Sequence, residues 1–198
     1  MFALPANAAV DTRAADQLGQ TSSQSAPTGV QGMTVSGTVA SQVGQRDDPI
    51  ASALAGIVAS QGGAAGQQAS TAIAAALQLG GPRQTIIAKA LTYLGTPYVL
   101  DGSSHDGIDC SGLTMVAYAD AGIALFHLVS RQDAAGTRID ESQAQPGDLV
   151  VFDDEAHIGL YLGGGVLIQA PDVGRPVQIS TVWQGIAHHF TRILPAGQ

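Results

Sequence analysis

The chain changes texture at Pro146-Gly147, and that change limits its fold more than any other feature. Before it, apolar residues recur at helical spacing. A helix is predicted after Gly80-Gly81-Pro82, with Ile86, Ile87, Ala90, Leu91 and Leu94 on its buried face. Gly95 suits its C-terminal cap and Pro97 blocks continuation. A second helix is predicted from Cys110, with Asp109 as N-cap, Leu113, Val116, Ala117 and Ala121 toward the core, and Gly122 at its end. Ser130 to Ala135 reads as a short helical turn. After Gly147 the chain reads as strands: Asp148 to Phe152, His157 to Leu162, Val166 to Ala170, Val177 to Ser180 and His188 to Leu194. Gly163-Gly164-Gly165 turns between the second and third. Helices first and strands later predict an α+β fold with a mostly antiparallel sheet.

The organisation upstream is different. A length of 198 residues fits one domain with flanking segments. Residues 1–48 are rich in Ser, Thr, Gln, Gly and Ala and read as a flexible low-complexity segment. Their first eight, ending Ala6-Asn7-Ala8, have the small-residue ending of a signal peptide without the basic and apolar regions that precede one. The end of a truncated signal and a plain Ala-rich start both remain open. In residues 49–80, Ile50, Leu54, Ile57 and Val58 recur at helical spacing, and Ala69 to Leu79 suits a helix with Ile73, Ala76 and Leu77 on one face. This stretch reads as a helical spacer or as a pro-segment over the domain that follows. Residues 81–198 form that predicted domain, which carries the candidate chemistry described below.

Charge and composition exclude some functions. The net charge is −8 with only 8 Lys and Arg, and those after Ala121 are scattered, so no basic stripe marks a nucleic-acid surface. No run reaches the roughly 18 apolar residues of a membrane span. The adjacent His188 and His189 would point to opposite faces of a strand, and no zinc-ligand spacing occurs.

The candidate chemistry rests on one cysteine. Cys110 is the only one in the chain, so no intramolecular disulfide can form. Its predicted place at a helix start favours a thiolate, because unpaired N–H groups and the helix dipole stabilise an anion. His157 opens a predicted strand and could take the thiol proton if the sheet packs against that helix. Gln169 is the polar residue in the returning apolar run Val166 to Pro171. Its amide oxygen could accept from the imidazole and fix its tautomer. Each residue alone has a plainer reading. Cys110 could be a small buried hydrophobe, His157 a strand histidine, and Gln169 a solvent-facing side chain.

Taken in order, the motifs resemble the NlpC/P60 family of cell-wall cysteine peptidases. They are Leu94-Gly95-Thr96-Pro97-Tyr98-Val99, Asp109-Cys110-Ser111-Gly112-Leu113, Ser130-Arg131-Gln132, Gln145-Pro146-Gly147-Asp148-Leu149-Val150, His157 to Gly163, and Ile168-Gln169-Ala170-Pro171. The resemblance runs from about Gln84 to Leu194. It implies a papain-like fold and hydrolysis of amide bonds in peptidoglycan stem peptides, typically next to D-glutamate. It assigns the nucleophile to Cys110, the base to His157 and the third polar residue to Gln169. It also assigns Tyr98 to the oxyanion hole, and Asp109 and Ser111 to the substrate groove. Ser130 and Arg131 follow as substrate contacts, the arginine placed to meet a stem-peptide carboxylate.

Two motifs depart from the family. Val99 to Ser104 stands where Trp-Gly-Gly is common, and Leu125 to Val129 replaces the usual Leu-Pro. The resulting expectation is a monomeric, secreted or wall-associated bacterial peptidase that uses no metal or organic cofactor and has stem peptides as its partner. The alternatives are a related N-acetylmuramoyl-L-alanine amidase or phage or conjugation lysin, and a non-catalytic module that grips wall peptides.

Overall fold

The computed structural model describes residues 63–153 and 155–195. Helix α1 spans Gly63–Leu77 and α2 spans Gly81–Leu91. Pro82 lies in the first turn of α2, where its missing N–H costs nothing. Ile86, Ile87, Ala90 and Leu91 are buried as the spacing predicts, while Leu94 lies past the helix and packs partly against the core. A small hairpin of β1 (Ser103–Ser104) and β2 (Gly107–Ile108) leads into α3 (Cys110–Asp120). The short α4 spans Val129–Ala134.

The sheet has six strands: β3 (Thr137–Ile139), β4 (Leu149–Phe152), β5 (Ile158–Gly163), β6 (Val166–Gln169), β7 (Gln178–Thr181) and β8 (His188–Arg192). Their order is β3-β8-β4-β5-β6-β7, and every pairing is antiparallel. The strands from β4 to β7 form a meander, and β8 returns to pair with β4. The five strands read from the sequence all form, with ends shifted by one or two residues. Strand β3 and the β1–β2 hairpin were not anticipated. Both are too short and too polar to show an alternating apolar pattern. Gly163, Gly164 and Gly165 have positive φ, which lets the chain reverse tightly between β5 and β6.

Alternation along the strands divides the apolar residues between two faces. Leu149, Val151, Ile158, Leu160, Val166 and Ile168 face the helices, where they pack with Ile86, Ile87, Leu113 and Ala117. Val150, Phe152, Tyr161, Leu167 and Phe190 form a second cluster with Val182. Helix α1 contributes Ala69, Ala72, Ile73 and Ala76 to the helix-side core, and Gln68 Nε2 donates to Gly164 O at the β5–β6 turn. This helix starts earlier than its apolar pattern suggests. The helix read from Pro49 to Val58 lies outside the described residues, as does the low-complexity segment.

One end of the domain is tied by buried charge. Asp148 is fully buried and meets Arg83 at 3.0 Å and Arg192 at 2.7 Å. Arg83 also donates to Pro146 O, and the Tyr118 hydroxyl donates to Gly147 O. Four side chains thereby join α2, α3 and β8 to the turn that opens the sheet.

Candidate active site

Cys110 is the first residue of α3. Asp109 precedes it in an extended conformation and caps the helix, accepting from Gly112 N–H at 2.7 Å. The same carboxylate accepts from Asp101 N–H, the Ser111 hydroxyl and His127 Nε2–H. Four donors therefore hold the residue that positions the cysteine. Gly112 is needed for this arrangement, because a Cβ there would collide with the Gly102 carbonyl oxygen.

The helix start was expected to lower the thiol pKa. The structure reverses the balance. Burial pushes the Cys110 thiol up, and the negative charge of Asp109 adds to the rise. The N–H groups of Ile158, Ser111 and Cys110 itself oppose the shift without overcoming it. Only 7% of Cys110 is exposed, so loss of hydration outweighs the partial charges of the helix.

The Ile158 N–H that favours the Cys110 thiolate belongs to the first residue of β5, and His157 immediately precedes it. His157 is buried, and its Nε2 donates to Gln169 Oε1 at 2.5 Å. Gln169 is fully buried at the end of β6, and its Nε2 donates to Ser180 Oγ on β7 at 2.7 Å. The imidazole is also held on its flat sides. Trp183 stacks on it with a 14° interplanar angle and 5.1 Å between centroids, and Phe152 packs at 5.2 Å. Both rings come from the second face of the sheet.

Tyr98 makes an isolated parallel bridge with Ile108, just before the cysteine helix. Burial raises its hydroxyl pKa, and Cys110, Asp109, Asp172 and Asp101 add to the rise in that order. The hydroxyl therefore stays protonated and can donate. Asp101 has a φ of 59°, an unfavourable conformation for a residue with a side chain, and its N–H is bound by Asp109.

Ser111 is buried beside Asp109. Ser130 is half-buried and Arg131 exposed on α4, where the guanidinium lies 5.5 Å from the centroid of the exposed Phe126 ring. The next residue, Gln132, is fully buried and donates to Ser111 O and Phe126 O while accepting from the Thr114 hydroxyl. It fastens α4 to the first turn of the cysteine helix. Among the described residues, no group of three His, Cys, Asp or Glu could hold a metal ion.

The sequence reading did not single out Gln132, His127, Ser180, Trp183 or Phe152 as site residues. Gln132 sits inside a motif and offered a signal there. The other four carry none, because only the sheet and the loops around it bring them to Asp109, His157 and Gln169.

Comparison with known proteins gives a consistent result. The NlpC/P60 family model matches residues 95–194. The probable endopeptidase p60 of Listeria monocytogenes is 47% identical over 92 residues, covering 45% of this chain and 19% of that protein. The probable endopeptidase Rv2190c of Mycobacterium tuberculosis is 40% identical over 101 residues, covering 50% of this chain and 26% of that one. The chain thus spans about a quarter or less of these relatives. Among solved structures, the NlpC/p60 domain of the peptidoglycan hydrolase SagA is 36% identical with a TM-score of 0.52, covering 56% of this chain and 98% of that one. RipD of Mycobacterium tuberculosis, described as a non-catalytic NlpC/p60 domain protein adapted to peptidoglycan binding, is 29% identical with a TM-score of 0.52, covering 58% and 99%.

Proposed function

The chain belongs to the NlpC/P60 family, and from that premise we propose that it is a cysteine peptidase that hydrolyses amide bonds in the stem peptides of peptidoglycan. One observation carries the reading. His157 gives its Nε2–H to Gln169, and the N–H of the residue next to it favours the charged form of Cys110. That tautomer keeps the lone pair on Nδ1, the nitrogen suited to take the thiol proton.

Nδ1 removes the proton from Cys110 Sγ as the sulfur attacks the amide carbon. The thiol is held above its ordinary pKa, so it needs the imidazole to take its proton. Negative charge develops on the carbonyl oxygen. The Cys110 N–H and the Tyr98 O–H are the donors proposed for it. The imidazolium then protonates the leaving amine, and the carbon–nitrogen bond breaks to leave a thioester. Water, deprotonated by His157, attacks that thioester, releasing the carboxylate product and restoring the thiol.

The family resemblance favours cleavage next to D-glutamate, with Ser130 and Arg131 toward the substrate. A wall substrate supports an enzyme that works outside the cell or at the wall, and a monomer is the proposed state.

Digestion of purified stem peptides followed by mass spectrometry tests the proposal. New termini at one amide bond, lost in Cys110→Ala, are the expected result. A chain that binds the peptides without cutting them would overturn it and leave a binding module, the role described for RipD.

A further inference from the structure

We propose that Gln132 is a positioning residue for substrate binding, which fixes where α4 holds Arg131 beside the Cys110 end of α3. The inference rests on the reading of Ser130 and Arg131 as substrate contacts. Arg131 is suited to an anion. It is exposed, and the carboxylates that pair with Lys or Arg among the described residues engage Arg83, Lys89, Arg138 and Arg192 instead. A guanidinium left open in this way can receive a substrate carboxylate through two parallel N–H donors. Its use depends on where its helix stands.

Helix α4 cannot set that position alone. It has six residues, too few for a helix to persist without tertiary contacts, and only Val129 and Gln132 are buried in it. Gln132 is fully buried and commits both amide protons. Its Nε2 donates to Ser111 O and to Phe126 O, each at 2.8 Å. Backbone carbonyls only accept, so reversing the amide would set Oε1 against two oxygens. Oε1 faces the Thr114 hydroxyl on α3. One side chain thus ties α4 to the residue after Cys110 and to the backbone that carries the Phe126 ring. That ring lies 5.5 Å from the Arg131 guanidinium. The other side of α4 has its own anchor, because Asp133 accepts from Thr191 and His189 on β8. Without the amide, α4 stays on the sheet and loses its register against α3. The fold survives while the substrate wall moves.

The test is a double-mutant cycle on Gln132→Met and Arg131→Ala in the full chain, read with a stem peptide whose D-glutamate carries a free carboxylate. Methionine fills the volume of the amide and donates nothing. Gln132→Met should raise KM about three- to tenfold, the scale of one lost hydrogen bond, with kcat within about twofold. Contacts away from the reacting atoms bind ground and transition states alike. Arg131→Ala should do the same, and the double variant should be no worse than Arg131→Ala. Additive losses would overturn the assignment, because the two residues would then act separately. So would an unchanged KM in either single variant, or a fall in kcat alone. Loss of folding in both Gln132→Met and the milder Gln132→Asn would also overturn it, since the amide would then hold the domain rather than the wall. Calorimetric binding of the same peptide to chains that also carry Cys110→Ala repeats the cycle without turnover. The same coupling in a chain that cleaves no peptide would leave Gln132 in its role and refute the peptidase reading alone.

Discussion

His127 donates from Nε2 to Asp109 Oδ1 across 2.7 Å, so the carboxylate that caps the cysteine helix also binds an imidazole from the loop before α4. The cap is therefore part of the tertiary structure. It also carries a cost, because Asp109 stands next to the proposed nucleophile and its charge disfavours a thiolate.

Asp109→Asn should lower the thiol pKa, because it removes the second-ranked cause of the rise while burial remains. The pH midpoint for iodoacetamide labelling of Cys110 should move down. An asparagine oxygen can still accept from Gly112 N–H, so stability should fall by about 1 kcal/mol rather than collapse. In the unaltered chain, labelling should climb from neutral toward alkaline pH. An unmoved midpoint in the variant would assign the whole rise to burial.

Trp183 covers one flat side of His157. Trp183→Ala should remove about 1 kcal/mol of ring contact and lower kcat roughly fivefold. Trp183→Phe should retain most of the activity, because a smaller aromatic face can still stack. Equal losses in the two variants would show that indole bulk, rather than stacking, is what matters.

Asp148 lies between Arg83 and Arg192 with no exposure. Asp148→Ala should destabilise the domain by about 3 kcal/mol, since it leaves two guanidinium groups without their shared carboxylate. Thermal unfolding should then occur roughly 10 °C lower. A shift under about 2 °C would show that the buried pairing adds little net stability.

Two truncations separate the possible roles of residues 49–80. Removing residues 1–62 keeps α1 and should preserve the thermal transition. Removing residues 1–80 strips Ala69, Ala72, Ile73 and Ala76 from the core and should lower it by several degrees. The occlusion proposal requires faster labelling of Cys110 after removal of residues 1–62. Equal labelling rates in the two longer chains would exclude a pro-segment within those residues.

Local chemistry made much of the fold legible. Asp109 before Cys110 marks a helix start, and Asp109 does cap α3. The apolar runs after Gly147 and the three-glycine turn mark the meander, because strand alternation and positive φ act over a few neighbouring residues. Cys110, His157 and Gln169 could be named from motif order. Arg138 illustrates the opposite case: nothing in Thr137-Arg138-Ile139 marks an edge strand until β8 supplies a partner.

By itself, the sequence determined which residues start the helix, turn the hairpin and alternate across the strands, since those preferences depend on near neighbours. Tertiary structure decided the electrostatics and orientation of the site. Burial turned an expected fall in the Cys110 pKa into a rise, because dehydration of a thiolate depends on everything packed around it. The β6–β7 register brought Ser180 to Gln169, and the second sheet face brought Trp183 and Phe152 to His157. These contacts join residues far apart in the chain, so only the folded sheet could specify them.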